Sequence, residues 1–166
     1  IPARRLPALN APMTLAIWCM LRVNGGDEGL LNLSIGDNDN SAAVRLSAVS
    51  SVLVAERSGG FLLVSTGVTL PAFTWFHLGY TWDGTTNTIY LNGVLQGTST
   101  TAHNTNQSAF LSIGGWGSTG PSSLHGALDD ARVYTRTLSS KEMEALYVES
   151  SLGYPTALHR QILVLG

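Results

Sequence analysis

The chain has 166 residues and a formal net charge of −2 at pH 7; 12% of its residues are charged and 44% are hydrophobic. This composition excludes an intrinsically disordered chain, because disorder requires low hydrophobicity together with high net charge. It also argues against a general nucleic-acid-binding protein, which normally presents a basic face. The length favours one domain with its own hydrophobic core.

Two further classes of structure are excluded by single features of the sequence. Cys19 is the only cysteine, so an intramolecular disulfide and a cysteine-based zinc site cannot form. No apolar run approaches the roughly 20 residues that a membrane-spanning helix needs. We therefore expect no insertion into a membrane.

Most of the chain reads as short strands separated by turn residues. Residues 1–12 are Pro-rich and have no periodicity, whereas every odd position from Met13 to Val23 is apolar. Asn92 and Gly93 favour a two-residue type I′ turn between strands. Further strands are predicted at 29–35, 42–48, 51–56, 61–65, 75–82, 88–91, 110–113 and 124–134. Strands at such regular spacing indicate an all-β sandwich or jelly roll.

One helix is predicted near the C-terminus, after Leu138. Ser139 is followed three residues later by Glu142, which is the pattern of a capping box. Met143 and Leu146 then give the segment an apolar side. The sequence therefore predicts a short capped helix behind the last strand of the sandwich.

Three segments, in order, carry a family resemblance. They are residues 14–18 (TLAIW), residues 75–95 (WFHLGYTWDGTTNTIYLNGVL) and residues 125–139 (HGALDDARVYTRTLS). Together they resemble the laminin-G-like branch of the concanavalin A-like lectin/glucanase jelly rolls. The resemblance implies an all-β, concanavalin A-like jelly-roll sandwich of two antiparallel sheets with one short C-terminal helix. It covers 13–148, with 1–12 as an N-terminal arm and 149–166 as a C-terminal extension.

Some relatives with this fold hydrolyse glucans, so catalysis is the first function to weigh. A retaining glycosidase needs two carboxylates about 5–5.5 Å apart in one cleft, and such relatives carry them as Glu-x-Asp-x-x-Glu on one strand. None of the five glutamates stands in such an alternation: Glu28, Glu56, Glu142, Glu144 and Glu149. We therefore expect no enzyme activity and assign no catalytic residue.

Two groups of aspartates are candidate calcium ligands. If Ala131 and Val133 point into the sandwich, period-two alternation places Asp129 on the same inward face. Related folds often hold a structural calcium at this point, and oxygen ligands suit Ca²⁺; the alternative is that Asp129 accepts hydrogen bonds from backbone amides. Asp37 and Asp39 could ligate a cation from their loop, although turn chemistry explains them equally well.

Glycan recognition needs an exposed aromatic side chain beside polar groups on loops. Trp116 is the best candidate, because its glycine neighbours leave the indole little local cover; the alternative is that it folds back on the sheet. His103, Asn104 and Asn106 in a long polar loop could add hydrogen bonds, or could be polar for solubility alone. The other tryptophans are expected to pack in the fold: Trp18, Trp75 and Trp82.

The C-terminal extension ends in an apolar, β-prone run at 162–165, and its Tyr154-Pro155-x-x-Leu158 segment resembles tails of laminin-G-like proteins encoded by bacteriophages. An exposed run of this kind favours strand pairing or burial in a partner. We expect residues 152–166 to dock on a neighbouring subunit or host surface; the alternative is that they fold back on their own sandwich.

Two functions follow from these expectations. The first is a non-catalytic recognition or structural module that assembles on a surface, such as a bacteriophage virion, as a homo-oligomer or shell subunit with glycan adhesion. The second is a secreted or cell-surface, calcium-dependent carbohydrate-binding lectin. A glycan hydrolase is the least favoured. The expected location is therefore the virion surface or the extracellular space.

Overall fold

The structure, a computed structural model, describes residues 6–22, 27–34, 43–49, 52–57, 61–103, 110–115, 124–152 and 162–165. The strands in these residues are β1 (Met13–Leu21), β2 (Asp27–Ser34), β3 (Ala43–Val49), β4 (Val52–Arg57), β5 (Phe61–Thr69), β6 (Trp75–Trp82), β7 (Asn87–Leu91), β8 (Val94–Ser99), β9 (Phe110–Ile113), β10 (Gly126–Tyr134) and β11 (Ile162–Leu165). Helix α1 (Ser140–Ser151) lies between β10 and β11 in the chain.

The strands form two sheets. One has the order β11-β10-β1-β6-β7-β8, and the other has the order β5-β4-β3-β2-β9. Every pair is antiparallel except β10 and β11, which run parallel. The predicted all-β, concanavalin A-like sandwich is therefore confirmed, with a parallel strand added at one edge.

The core lies between the two sheets and follows the alternation of the strands. In β1, Leu15 and Ile17 point into a single apolar cluster that also contains Leu78 from the neighbouring β6 and Leu46 from β3 of the other sheet. Ala16, between them, belongs to a second cluster beneath the helix. Strand β1 is thus covered on both faces, as its apolar odd and mixed even positions predicted.

Helix α1 packs on the outer face of the six-stranded sheet through Met143 and Leu146. The predicted capping box is confirmed: the Ser139 side chain accepts from the Glu142 amide, and Glu142 accepts from the Ser139 amide at 2.8 Å. At its other end, Ser150 Oγ accepts a 2.9 Å hydrogen bond from Trp18 Nε1. Among the described residues, no helix is long and apolar enough to cross a membrane.

The segments before β1 and after α1 both belong to the sandwich. Leu9 is fully buried in the core, so residues 6–12, set apart by their sequence as an arm, pack against the fold. Strand β11 pairs in parallel with 131–134 of β10. The prediction that 152–166 docks on a neighbour is therefore wrong for 162–165, because the nearest open strand edge belongs to its own sheet; residues 153–161 lie outside the described part.

Because neighbouring strands alternate in direction, the sandwich has two ends. At one end β1 finishes at Leu21, β6 starts at Trp75 and β10 starts at Gly126. At the other end β1 starts at Met13 and β6 finishes at Trp82. The two ends carry different groups of polar and aromatic side chains.

Candidate functional site

A β-bulge changes the expected orientation of Asp129. The register between β1 and β10 shifts between Ala16 and Trp18, and Asp130 adopts a positive φ of 45°. Leu128 and Ala131 therefore both pack toward the core, whereas Asp129 lies opposite Trp18 on the helix side. The predicted inward orientation is wrong, because the extra residue of a bulge breaks period-two alternation.

The carboxylate of Asp129 has a backbone partner in the bulge. Its Oδ1 accepts a 2.7 Å hydrogen bond from the Asp130 amide, and Asp130 in turn forms a bidentate ion pair with Arg132. No group of three or more His, Cys, Asp or Glu side chains suited to a metal occurs in the part of the chain that the structure describes. Asp37 and Asp39 lie outside that part, so calcium binding stays a prediction.

His103 is engaged within the fold at the Trp82 end. Its ring stacks on Trp82 with centroids 4.1 Å apart, and both ring nitrogens contact polar groups of the sandwich. Its expected role in glycan binding stays a prediction, as do those of Trp116, Asn104 and Asn106, which lie outside the described residues. The expectation that Trp18 and Trp82 pack in the fold is confirmed, since they are 5% and 4% exposed; Trp75 is half-buried.

A buried imidazole lies under helix α1. His77 is 1% exposed and packs against the rings of Trp18 and Tyr147, which also contact each other. Its Nδ1 has no hydrogen-bond partner among the described residues. Burial lowers the pKa of His77 to about 4, against a smaller opposing effect of Asp130, so the ring is neutral at pH 7.

The most exposed aromatic side chain with a described environment is at the opposite end from His103. Phe73 is 70% exposed and has a φ of 59°, in the left-handed region. Its amide donates a 2.7 Å hydrogen bond to the Leu21 carbonyl, which holds the turn before β6 against the end of β1. Pro71 precedes the turn and fixes one backbone angle.

Three polar residues adjoin this turn through backbone hydrogen bonds. The Arg22 amide donates to the His125 carbonyl at 2.8 Å, and the His125 amide donates to Glu28 Oε2 at 3.0 Å. The side chain of Glu28 is 6% exposed and that of His125 is 69% exposed; Arg22 is exposed. We call Arg22, Glu28, Phe73 and His125 the rim.

The rim combines groups that suit a neutral or anionic polar ligand. Phe73 offers an aromatic face, Arg22 offers a fixed fork of donors, and His125 offers ring nitrogens. Glu28 is buried, and its hydrogen bond with the His125 amide ties β2 to the segment that leads into β10. Sequence reasoning missed Phe73, because a phenylalanine at positive φ has no local signal; the Pro71-Ala72 turn beside it was the available hint.

Comparison with known families supports the resemblance drawn from the motifs. A laminin G family model, described as the concanavalin A-like lectin/glucanases superfamily, matches residues 1–144. The chain belongs to this superfamily. No curated protein matches the sequence.

Solved structures with the concanavalin A-like fold resemble this chain at low identity. A Trypanosoma rangeli sialidase in complex with sialic acid aligns at 20% identity and a TM-score of 0.67, over 86% of this chain and 24% of that chain. A heptameric SAP-like pentraxin from Limulus polyphemus aligns at 18% identity and 0.61, over 87% and 73%. A Bacteroides ovatus protein proposed to bind carbohydrate aligns at 16% identity and 0.66, over 84% and 42%.

At these identities, the similarity to solved structures shows the fold alone. The activity has to be argued from the residues of the site. The chain spans about a quarter of the length of the sialidases it matches. Within the concanavalin A-like sandwich described here, three carboxylates have separate structural partners. Asp83 accepts from the amides of Thr85 and Thr86, Asp130 pairs with Arg132, and Glu142 caps α1.

Proposed function

We propose that this domain is a non-catalytic glycan-recognition module and that the rim is its binding site. The observation that carries the proposal is Phe73, an aromatic side chain held out at the end of the sandwich, 70% exposed, on a strained backbone. Binding residues concentrate on loops that a rigid scaffold positions, and this turn is fastened to β1 by a backbone hydrogen bond.

Fold stability does not explain this arrangement. A left-handed conformation costs an L-residue roughly 1–2 kcal/mol, and an exposed side chain gains little hydrophobic stabilisation. Backbone strain of this kind clusters at binding sites, where it is part of the function. A ligand that covers Phe73 would supply the missing burial.

A saccharide fits the chemistry of the rim. One face of a pyranose ring carries C–H groups that pack on an aromatic ring, while its hydroxyls exchange hydrogen bonds with polar side chains. Arg22 and His125 lie on the backbone segments joined to the Phe73 turn. Carbohydrate binding is also the role proposed for the Bacteroides ovatus relative.

Three of the described carboxylates are engaged in holding the fold, which supports recognition rather than hydrolysis. A glycosidase needs two of them across one cleft, whereas Asp83, Asp130 and Glu142 serve a turn, a strand and a helix cap in separate places. The apolar run that suggested assembly on a virion pairs with its own sheet. Virion assembly therefore stays a prediction without that support, and an extracellular location stays a prediction as well.

A glycan array with matched variants tests the proposal. The wild-type domain should bind a defined group of glycans, and Phe73→Ala should lower the affinity at least tenfold while leaving the melting temperature close to that of the wild type. Leu62→Ala is the control, because Leu62 is also exposed, at 53%, but lies near the opposite end of the five-stranded sheet. Equal binding by Phe73→Ala, or release of sugar from any bound glycan, would contradict the proposal.

A further inference from the structure

Helix α1 covers a buried histidine of the six-stranded sheet, and nothing in the proposed function uses this residue. His77 packs against Trp18 of β1 and Tyr147 of α1, with ring centroids 5.4 and 6.0 Å away. Its amide donates to Asn92 Oδ1 at 2.9 Å, and its carbonyl accepts from the Asn92 amide at 2.8 Å. The ring is therefore held in place by the sheet and covered by the helix.

The surroundings of His77 suit an uncharged ring. An imidazolium carries a proton on each ring nitrogen, yet Nδ1 has no hydrogen-bond partner in the part of the chain that the structure describes. A charged ring would therefore leave a buried donor without an acceptor, which costs free energy. The carboxylate of Asp130 acts on the ring, but its two oxygens accept from Arg132 at 2.8 and 2.7 Å.

The charged and titratable groups that act on His77 come from two elements. Strand β10 contributes Asp130, which favours the imidazolium, and Arg132, which disfavours it; α1 contributes Tyr147, whereas Trp18 of β1 does not titrate. An aromatic face attracts a cation within about 6 Å of its centroid, so rings tilted by 56° and 39° near that limit add little. Burial is the largest effect and lowers the pKa of His77 to about 4.

The contacts of α1 with the sheet are separate from the main core. Met143 and Leu146 belong to a cluster of their own on the outer face of the six-stranded sheet. A Cβ on Gly79 would overlap Met143 Cε, so the helix lies directly on the backbone of β6. Small units whose contacts are separate from the core open locally. Helix α1 can therefore leave the sheet while the cluster between the two sheets stays intact.

We propose that α1 is an acid-released cover: protonation of His77 drives the helix off the six-stranded sheet and opens the apolar outer face of that sheet to solvent. The face that the helix covers includes Ala16, Tyr90 and Tyr134. The helix cap does not titrate in the same range, because the hydrogen bond from Arg136 lowers the pKa of Glu142 to about 2.

The released state is the one that binds the extra proton. In solvent the imidazole has its ordinary pKa of about 6.5, whereas in the docked state the pKa is about 4. Docking is therefore complete above pH 6.5 and weakens as pH falls toward 4. Between pH 7 and pH 4.5 the equilibrium constant for release should rise about 60-fold.

Amide hydrogen exchange of the wild-type protein tests the cover. Protection factors, which correct for the intrinsic rate at each pH, are measured at pH 7 and pH 4.5 for Leu146 in α1 and for Leu46 in β3, at the centre of the five-stranded sheet. The protection factor of Leu146 should fall about 60-fold. Its exchange should depend weakly on urea below the unfolding transition, because local release exposes little surface. Exchange of Leu46 should rise steeply with urea, because it requires global unfolding.

Two variants separate the titration from the general stability of the helix. His77→Phe keeps a ring under α1 but cannot be protonated, so the protection factor of Leu146 should change less than about twofold between the two pH values. Val148→Ala is the control, because Val148 lies on α1 but is 48% exposed; it should keep the full pH effect.

Three results would overturn the proposal. They are a Leu146 protection factor that does not fall in the wild type, a fall of equal size in His77→Phe, and a urea dependence of Leu146 equal to that of Leu46. If His77→Phe does not fold, the pH and urea dependence of exchange in the wild-type protein decides.

Discussion

His77 has an imidazole in surroundings that favour its neutral form. It is enclosed by Trp18 and Tyr147, and burial lowers its pKa to about 4, while Asp130 opposes this effect and Arg132 adds to it. In the unfolded chain the ordinary pKa is about 6.5. The unfolded state therefore binds a proton first as pH falls, and the free energy of unfolding decreases between pH 6.5 and about 4.

We expect this decrease to be about 2.5 kcal/mol between pH 7 and pH 4.5, since each pKa unit is worth about 1.4 kcal/mol. Urea unfolding at pH 7 and pH 4.5 measures it. His77→Phe keeps a ring against Trp18 and Tyr147 but removes the titration, so its pH dependence should be flatter by that amount. An unchanged slope in His77→Phe would show that other groups cause the acid sensitivity.

Residue-level properties differ in how far sequence predicts them. The capping pair Ser139 and Glu142 was predictable, because each acts on backbone groups three residues away. Phe73 was not, because its positive φ depends on a hydrogen bond to Leu21, which is far away in the chain. The contacts of His103 with Tyr80 and Asn87 likewise depend on residues from two other strands, so sequence could name the histidine but not these partners.

The hairpin of β7 and β8 is an element whose turn also contacts the helix. Asn92 and Gly93 have φ values of 51° and 76°, which confirms the predicted type I′ turn. A Cβ on Gly93 would lie 3.1 Å from Tyr147 Cβ and 3.2 Å from Glu144 Cα. The turn therefore needs glycine for two reasons: its φ and its closeness to α1.

Gly93→Ala should destabilise the protein more than Gly67→Ala. Gly67 has a comparable φ of 68°, but a Cβ there would meet nothing within 4 Å, so this variant measures the backbone cost alone, roughly 1–2 kcal/mol. We expect Gly93→Ala to cost about 1–2 kcal/mol more, because backbone atoms of the helix cannot rotate away. Thermal and urea unfolding compare the two; equal losses would mean that the helix moves aside without cost.

Strand β10 shows why an element can be located correctly while its faces are assigned wrongly. The apolar pattern predicted a strand over 124–134, and the structure has one over Gly126–Tyr134. The bulge at Asp130 adds one residue on β10 opposite β1, which reverses the orientation of everything before it. Strand pairing across the sheet, rather than local sequence, sets this bulge.

At the scale of the whole molecule, the C-terminal strand β11 forms one edge of the six-stranded sheet. Deleting residues 153–166 removes the parallel partner of 131–134 and exposes the backbone edge of β10. We expect a melting temperature lower by several degrees, because lost edge hydrogen bonds are worth about 0.5–1.5 kcal/mol each. Calorimetry checks this, and light scattering at one concentration gives the oligomeric state.

The outcome of this deletion distinguishes the two roles of the C-terminal segment. A destabilised protein with an unchanged mass in light scattering fits the pairing within one chain. A retained melting temperature with a loss of oligomer would restore docking on a neighbour. Among the described strands, β11 pairs with β10 alone, so the deletion removes no other strand pairing.

The central place of β1 has a consequence for the time course of folding. Its neighbours are β6 and β10, and Thr14 lies opposite both Thr81 and Tyr134. During synthesis β1 emerges first, yet its second neighbour follows more than a hundred residues later. Closing so long a loop slows folding, so the nascent chain must keep this central apolar strand half-covered until nearly all of the domain has left the ribosome.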